Sequence, residues 1–297
     1  MTSRTFALLA LFAVQLLYGL NFTFAKSLIN DGFMQSSALV FFRVSGATLL
    51  FWIVGEFFPK EKIDIKDYLK FFYAAIFGVV INMLFFLKGL ELTTPIHAAA
   101  IVSITPIVIL LLSSYYLKEK VTRLKIIGVI LAFAGALVLS IYGKSLRAGD
   151  NVFFGNMLIM INVVSYSIYI IMIKRLTVKY HPFTFIKWLF LFGTFLVLPF
   201  SYFQIEVIDW NSFDTYATGS LIFVVVGATF GTYLLNPLAL RTLRASTVGI
   251  FIYLQPVIAA IFAVAMGVDT IGIVKITAAV LIFSGVYLVT KKPKLQA

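Results

Sequence analysis

The sequence contains no cysteine and few charged residues. Charged side chains make up 12% of the 297 residues, and only 12 residues are acidic, whereas about a quarter of the residues are charged in a typical soluble domain. The absence of cysteine excludes disulfides, thiol nucleophiles and cysteine-based zinc sites. The shortage of charge indicates that lipid, rather than water, surrounds most of the chain.

Acidic residues are also missing from the middle of every apolar run. All 12, from Asp31 to Asp269, lie between the runs or near their ends. Proton-coupled carriers commonly use a carboxylate buried in the membrane. The sequence therefore favours uniport, exchange or potential-driven movement over proton coupling.

Long apolar runs fill the rest of the chain. About 20 apolar residues suffice to cross a hydrocarbon core of about 30 Å, and continuous runs without alternation form helices rather than barrel strands. The sequence predicts an all-α integral membrane protein with ten transmembrane helices. The predicted spans are 5–29, 34–57, 69–90, 95–117, 121–142, 153–174, 183–203, 218–239, 245–267 and 270–290.

Basic residues are concentrated in alternate connections between the spans. With the N-terminus in the cytoplasm, the cytoplasmic side holds 18 Lys and Arg residues and the opposite side holds five. The positive-inside rule then predicts that both termini are cytoplasmic. Since the net charge of +12 is spread over short loops and not gathered in one patch, nucleic acid is not expected as a partner.

The two halves of the chain share a spacing pattern. Each half holds five predicted spans, and since five is odd, the halves are predicted to be inverted relative to each other. The predicted organisation is a first repeat at 5–142, an external loop at 143–152, a second repeat at 153–290 and a basic cytoplasmic tail at 291–297. Inverted halves favour a transporter, because exchanging their roles opens a central site to each side in turn. A shift of 150 residues aligns Pro106 with Pro256, Glu119 with Asp269, Lys125 with Lys275, Phe133 with Phe283 and Gly135 with Gly285.

Several short motifs carry a family resemblance. The segment Gly89-Leu-Glu-Leu-Thr-Thr-Pro95, the pairs Thr105-Pro106 and Glu119-Lys120, and the run from Gly128 to Gly135 are similar to the EamA domain of the drug/metabolite transporter superfamily. The first two spans, with Tyr18-Gly19 and Phe42-Arg43, and the more diverged second half, with Gln255-Pro256, resemble it as well. The resemblance implies a ten-helix carrier of the bacterial inner membrane. It also implies export of a small polar or amphipathic metabolite, such as an amino acid.

Arg43 is the most notable polar residue within a predicted span, because a charge at mid-membrane is costly and usually faces a cavity or a partner. One interpretation directs its planar guanidinium toward the carboxylate or phosphate of a substrate. The other is a structural arginine that bonds helix-end carbonyls and holds helices together. The sequence leaves both interpretations open.

Amides and tyrosine hydroxyls in other spans are further candidates for a substrate pathway, because such groups need a hydrogen-bond partner when buried. Ordinary interhelical hydrogen bonds, worth about 0.6 kcal/mol each, are the alternative for the asparagines, and that alternative is favoured for Asn162. Simple packing is the alternative for the tyrosines. The candidates are Tyr18, Asn21, Asn82, Tyr166 and Tyr233.

Pro106 and Pro256 occupy matching positions in the fourth and ninth spans. Each removes a backbone hydrogen bond, so each is a candidate hinge, although a simple packing kink is the alternative. Broken helices near the midplane are where transporters with inverted repeats place their substrates. The neighbouring polar residues are then candidate lining groups: Ser103, Thr105, Tyr253 and Gln255.

Two other classes of function are alternatives to a carrier. A membrane scaffold or receptor subunit predicts a polar stripe that faces lipid or a partner. An intramembrane enzyme needs paired carboxylates, a zinc-ligand cluster or a Ser–His pair, and the sequence shows none of these patterns. We therefore expect no enzyme activity, no metal and no cofactor, with a small-molecule substrate and the lipid bilayer as partners. The sequence does not set the oligomeric state and is compatible with a monomer.

Overall fold

The computed structural model describes residues 3–58, 60–93, 95–141, 152–265 and 272–290. Within these ranges the chain is helical and contains no β-strand. The predicted tail at 291–297, Asp269, and the predicted external loop apart from Val152 lie outside the described residues.

Twelve helices, numbered here in chain order, and a short 3-10 helix at Trp210–Ser212 make up the described fold. Two of them, α3 and α9, each contain a π-helical segment, at Ile76–Ile81 and Phe223–Gly231. The first half holds α1 (Ser3–Asn30), α2 (Ser36–Gly55), α3 (Ile65–Leu92), α4 (Pro95–Val102), α5 (Thr105–Tyr116) and α6 (Arg123–Ile141). The second half holds α7 (Val152–Lys179), α8 (Pro182–Glu206), α9 (Thr215–Thr242), α10 (Ala245–Phe251), α11 (Leu254–Ala265) and α12 (Ile273–Thr290).

Eight helical stretches in the described residues are long and apolar enough to cross a membrane. The predicted fourth span is divided into α4 and α5, of 8 and 12 residues, and neither alone reaches the roughly 20 residues that a crossing needs. The all-helical membrane architecture is as predicted. The count of ten crossings and the side on which the termini lie stay predictions.

Two long helices begin earlier than the apolar pattern predicts, because aspartate side chains cap them. Asp64 accepts a hydrogen bond from the amide of Lys66 at the start of α3. Asp214 accepts one from the amide of Ala217 at the start of α9. Capping satisfies amides that have no partner within the helix, so polar residues can form the first turn.

Several of the largest contacts between the halves have a counterpart when the halves exchange roles. Helix α1 packs against α9 and α11, and its counterpart α7 packs against α3 and α5. Two further extensive contacts, α2 with α8 and α6 with α12, are their own counterparts. The structure therefore places the two halves face to face, with α1, α3, α7 and α9 near the centre.

The contact between α6 and α12 shows the same exchange at the level of single residues. A Cβ on Gly128 would lie 2.7 Å from the carbonyl oxygen of Gly285, and a Cβ on Gly135 would lie 2.6 Å from that of Ala278. Moving by the 150-residue shift converts the first pair into the second. Small residues let these two backbones approach closely, as is common between helices in membranes.

Candidate functional site

Arg43 lies in α2 with 6% of its surface exposed. Its Nε donates a hydrogen bond of 3.0 Å to the hydroxyl of Thr229, which lies in the π-helical segment of α9. That hydroxyl in turn donates to the carbonyl of Val224, five residues earlier, which is the spacing of a π-turn. The π-helical segment thus holds an acceptor that faces the arginine of the other half.

Tyr233 makes the second connection between the halves. Its hydroxyl donates a hydrogen bond of 2.6 Å to the carbonyl of Gly78, inside the π-helical segment of α3, and lies 3.5 Å from Oδ1 of Asn82. A Cβ on Gly78 would lie 2.2 Å from the ring of Tyr169, so glycine is needed for this ring to fit. Both π-helical segments therefore face the centre, where irregular helical turns often accompany function.

Tyrosine rings surround this centre. The ring of Tyr169 lies 5.7 Å from that of Tyr233 and 6.0 Å from that of Tyr166. The hydroxyl of Tyr18 lies within hydrogen-bonding reach of Thr232, and Tyr18 and Tyr233 are near enough to interact with the charge of Arg43. Together these residues form what we call the central polar cluster: Tyr18, Arg43, Asn82, Tyr166, Tyr169, Thr229, Tyr233 and Asn236.

Two buried polar atoms in the cluster have no hydrogen-bond partner among the described residues: Oδ1 of Asn236 and the hydroxyl of Tyr169. The exposed fractions of these residues are 3% and 1%. The amide nitrogen of Asn236 lies 3.5 Å from the hydroxyl of Tyr166. Because an unpaired buried polar group is costly, such atoms indicate a place where a ligand or water binds.

Asn162 and Asn82 join α7 to α3 beside the cluster. The amide of Asn162 donates a 2.7 Å hydrogen bond to the backbone carbonyl of Asn82. This is the interhelical bond that the sequence favoured for Asn162. Asn21 has a buried Oδ1 with no partner among the described residues.

The polar residues before Pro106 bond within their own segment. The hydroxyl of Ser103 donates to the carbonyl of Ala99 at 2.8 Å, and that of Thr105 donates to the carbonyl of Val102 at 2.6 Å. Both hydroxyls satisfy carbonyls at the break between α4 and α5. Pro106 itself lies in the first turn of α5, where proline needs no amide partner.

The matching break between α10 and α11 contacts α1. The side-chain amide of Gln255 donates a 2.8 Å hydrogen bond to Oε1 of Gln15. The hydroxyl of Tyr253 is buried without a partner in the described part of the chain. Pro256 follows at the start of α11. The predicted site residues therefore fall into two groups: the central polar cluster and the two helix breaks.

A buried charged cluster closes the end of the molecule where α5 is joined to α6. Glu119 accepts hydrogen bonds from the amide of Ala245 at 2.7 Å and from the hydroxyl of Ser246 at 2.5 Å. Lys125 donates to the same hydroxyl at 2.7 Å, and its Nζ lies 3.6 Å from Glu119. We call Glu119, Lys125 and Ser246 the end lock, because they tie the first half to the start of α10.

Lys174 completes this closure from α7. Its Nζ donates to the carbonyls of Leu240 and Leu243, at 2.5 Å and 2.9 Å, at the end of α9. A cation at a helix C-terminus stabilises the unpaired carbonyls there. The turn between α9 and α10 is thus held by Glu119 on one side and Lys174 on the other.

Sequence reasoning missed several residues that complete the site. Thr229, Tyr169 and Asn236 lie in the cluster, and Gln15 bonds to Gln255. Gln15 had a usable signal, since it is an amide inside the first apolar run, three residues before Tyr18. No such signal marks Thr229. Its contact with Arg43 depends on the π-helical segment, and nothing in the local sequence predicts that segment.

These observations define the class of the protein. It is a multi-pass helical membrane protein whose buried polar groups gather between its two halves. The model of the EamA-like transporter family matches residues 5–141 and again 153–291. The chain therefore belongs to the EamA-like transporter family, as the motifs predicted.

Known relatives are similar along most of the chain. An uncharacterized transporter of Archaeoglobus fulgidus is 28% identical over 275 residues, covering 93% of this chain and 95% of the relative. The uncharacterized transporter YetK of Bacillus subtilis is 29% identical over 238 residues, covering 77% and 69%. A WAT1-related protein of Arabidopsis thaliana is 26% identical over 141 residues, covering 44% of this chain and 37% of the relative.

A solved crystal structure of a protein shares the fold. It superposes with a TM-score of 0.80 at 16% sequence identity and covers 97% of both chains. At this identity the likeness shows the fold alone. The role in membrane transport rests on the family match and on the relatives that are named as transporters.

Proposed function

We propose that this protein exports a small polar or amphipathic metabolite, such as an amino acid, from the cytoplasm by alternating access. The observation that carries the proposal is the central polar cluster, because both halves of the chain build it. The Nε of Arg43 donates to the hydroxyl of Thr229, and the hydroxyl of Tyr233 donates to the carbonyl of Gly78, each across the boundary between the halves. Relative movement of the halves would therefore reshape this site directly.

The exchange pattern in the packing supports alternating access. In a carrier made of two inverted halves, the second conformation follows when each half takes the arrangement of the other. The reciprocal contacts of α1 with α9 and of α7 with α3 fit such an exchange. We propose that the first repeat spans residues 5–142 and the second spans 153–290.

The end lock supports a conformation that is closed on one side. The charge distribution of 18 basic residues against five is the reason to place this end, and both termini, in the cytoplasm of a bacterial-type inner membrane. Export is proposed as the direction because the family motifs resemble those of exporters. The central polar cluster holds no acidic side chain among its eight members, which favours movement without proton coupling.

The scaffold alternative predicts a polar stripe on the outer surface. The described helices do not show such a stripe. Large apolar side chains are exposed along them instead, for example Phe12, Leu49 and Phe195. The buried polar groups of the central polar cluster lie between the halves. This arrangement favours a transporter over a scaffold.

The test uses purified protein in liposomes that are loaded with a pool of labelled amino acids and other small metabolites. We expect one compound, or a few, to leave the liposomes faster than they leave protein-free liposomes. If no member of a broad pool leaves, the transporter proposal fails and the scaffold or receptor alternative gains.

A cross-linking control tests alternating access separately. Because the chain has no cysteine, a Glu119→Cys and Ser246→Cys pair would hold the only two thiols. We expect oxidation of this pair to stop efflux and reduction to restore it. Equal efflux from the oxidised and reduced forms would contradict alternating access, while the carrier function would stand.

A further inference from the structure

Arg43 carries a charge that the described residues do not balance. Its Nε has a partner in the hydroxyl of Thr229, but neither terminal nitrogen of the guanidinium donates a hydrogen bond to any described residue. No carboxylate of the described residues forms an ion pair with it either. Arg43 is 6% exposed, and a buried cation without a counter-ion is strongly unfavourable.

The other buried cations show how a structural role would look. Lys174 donates to two carbonyls at the end of α9, and Lys125 is paired with Glu119 and Ser246. Arg43 makes no such bond to a helix end in the described structure. Its arrangement thus departs from that of the two cations that hold helices together.

The nearby hydroxyls direct their hydrogens to other acceptors. Thr229 donates to the carbonyl of Val224, Tyr233 donates to that of Gly78, and Tyr18 lies within reach of Thr232. In the described structure none of these hydroxyl oxygens accepts a hydrogen bond from the terminal nitrogens of the guanidinium, so those nitrogens can meet an anion. The planar pair of donors on an arginine matches the two oxygens of a carboxylate.

We infer that the substrate is a small monocarboxylate that carries a hydrogen-bond donor on its body, and that its carboxylate pairs with Arg43. This inference rests on the transport function proposed above. Of the two interpretations of Arg43 that the sequence left open, it selects the first, in which Arg43 recognises the negative charge of the substrate.

The single charge of the cluster favours a monoanion over a phosphate ester. A phosphate carries up to two negative charges near neutral pH, and Arg43 is the only cation among the eight members of the central polar cluster. Lys125 and Lys174 are bound in the end lock and at the end of α9. A second negative charge would therefore enter the site without a partner.

Asn236, a second member of the central polar cluster, indicates which chemical group the rest of the substrate carries. Oδ1 of Asn236 is buried without a partner in the described structure and can only accept. Asn236 follows Thr229 by seven residues on α9, about 10 Å along a helix. A donor group on the body of the substrate, such as a hydroxyl or an ammonium, would meet this oxygen while the carboxylate meets Arg43.

Efflux from liposomes tests the inference with labelled probes in four classes. The probes are monocarboxylates with a hydroxyl or amino group, the amides of the same compounds, phosphate monoesters, and cationic amines. We expect wild-type protein to move members of the first class and to move their amides at least tenfold more slowly. Arg43→Gln should remove this preference, and Arg43→Lys should keep a part of it, because lysine retains the charge but lacks the paired donors.

The matched control is Arg123→Gln, since Arg123 is exposed at the start of α6 and lies outside the cluster. It should transport like the wild type. If Arg43→Gln does not fold, as judged from its melting temperature, Asn236→Leu replaces it, and monocarboxylates without a hydroxyl or amino group are added as probes; Asn236→Leu should slow efflux of the acids that carry the donor more than efflux of those that lack it.

The outcomes separate this inference from the proposed function. Efflux of amides, phosphate esters or amines in preference to monocarboxylates would overturn the inference and leave the transporter function standing. Efflux of monocarboxylates at the same rate by wild type and a folded Arg43→Gln variant would also overturn it. If no class leaves the liposomes, both proposals fail.

Discussion

Gly128 and Gly285 meet backbone to backbone where α6 crosses α12. A Cβ on Gly285 would lie 2.3 Å from the carbonyl oxygen of Gly128, and a Cβ on Gly128 would lie 2.7 Å from that of Gly285. The 150-residue shift turns this pair into Gly135 and Ala278, which are equally close on the next part of the same interface. The same close contact therefore occurs twice in the interface between the last helices of the two halves.

Gly285→Ala tests this close contact. We expect the substitution to lower stability by about 1–3 kcal/mol, because the added methyl group overlaps backbone atoms that cannot rotate away. The measurement is the melting temperature in detergent. Gly135→Ala should have a similar effect, since its Cβ would lie 2.6 Å from the carbonyl oxygen of Ala278.

Gly219→Ala is the matched control for these substitutions, because no atom lies within 4 Å of its added Cβ. It should leave the melting temperature unchanged or raise it slightly, since alanine favours a helix. An equal loss of stability in the control and in Gly285→Ala would show that the glycine contact contributes nothing specific.

Tyr233→Phe tests the hydrogen bond that joins α9 to the π-helical segment of α3. The substitution removes the 2.6 Å bond to the carbonyl of Gly78 and keeps the ring. We expect a loss of about 1–3 kcal/mol, as for other buried acceptors that lose a donor, and slower efflux in liposomes. Tyr216→Phe, on the exposed start of α9, should change neither property. Wild-type efflux from Tyr233→Phe would contradict a role for this bond in transport.

Glu119→Gln tests the end lock. The amide keeps the shape of the side chain but removes the charge that faces Lys125, so a buried cation loses its partner. We expect the closed end to open more often. A single Val248→Cys, buried at 2% exposure on α10, should then react with a membrane-impermeable maleimide several times faster than in the parent protein.

Glu56→Gln is the control for that experiment. Glu56 forms an exposed ion pair with Lys60 at 2.9 Å, in the connection between α2 and α3. Exposed ion pairs contribute little, so the reaction at Val248→Cys should keep its rate. Should Glu119→Gln behave like this control, the end lock does not govern access.

His181 makes stability depend on pH. Its ring stacks on those of Phe58 and Phe183, with centroid distances of 5.6 Å and 5.9 Å. Burial lowers the pKa of His181 and the nearby Arg241 lowers it further, while Glu61 opposes the shift. The unfolded chain, with a histidine pKa of about 6.5, therefore takes up the proton more readily than the folded protein.

It follows that protonation of His181 favours unfolding, and its contribution to stability is lost as the pH falls below about 6.5. We expect the melting temperature to fall between pH 8 and pH 5.5, and to fall less in His181→Gln, which cannot take up this proton. A drop of the same size in both proteins would assign the pH dependence to other groups.

Much of the architecture could be predicted from the sequence. The apolar runs gave the helices that the structure shows, with early starts at Asp64 and Asp214 where a cap extends the helix. The motif spacing predicted the family, which the match over 5–141 and 153–291 confirms. Tyr18, Arg43 and Tyr233 were candidates because a polar group deep in a span needs a partner, and the structure brings these three together.

Other parts of the site could not be predicted. Ser103 and Thr105 are predicted lining groups, and this stays a prediction; the structure adds that their hydroxyls bond to carbonyls within their own segment. Thr229 looked like an ordinary residue of an apolar helix, yet it accepts the hydrogen bond of Arg43. A hydroxyl in a span can bond locally or across helices at similar cost, so the sequence alone cannot distinguish the two.

The sequence by itself determined that lipid surrounds this protein, that its fold is helical and which family it belongs to. Length, hydropathy and motif spacing can all be read directly along the chain. Only the tertiary structure decided which polar groups meet. The π-helical segments at Ile76–Ile81 and Phe223–Gly231 turn Gly78 and Thr229 toward the other half. Their partners lie more than 150 residues away in the chain, and only the packing of the two halves brings such distant residues into contact.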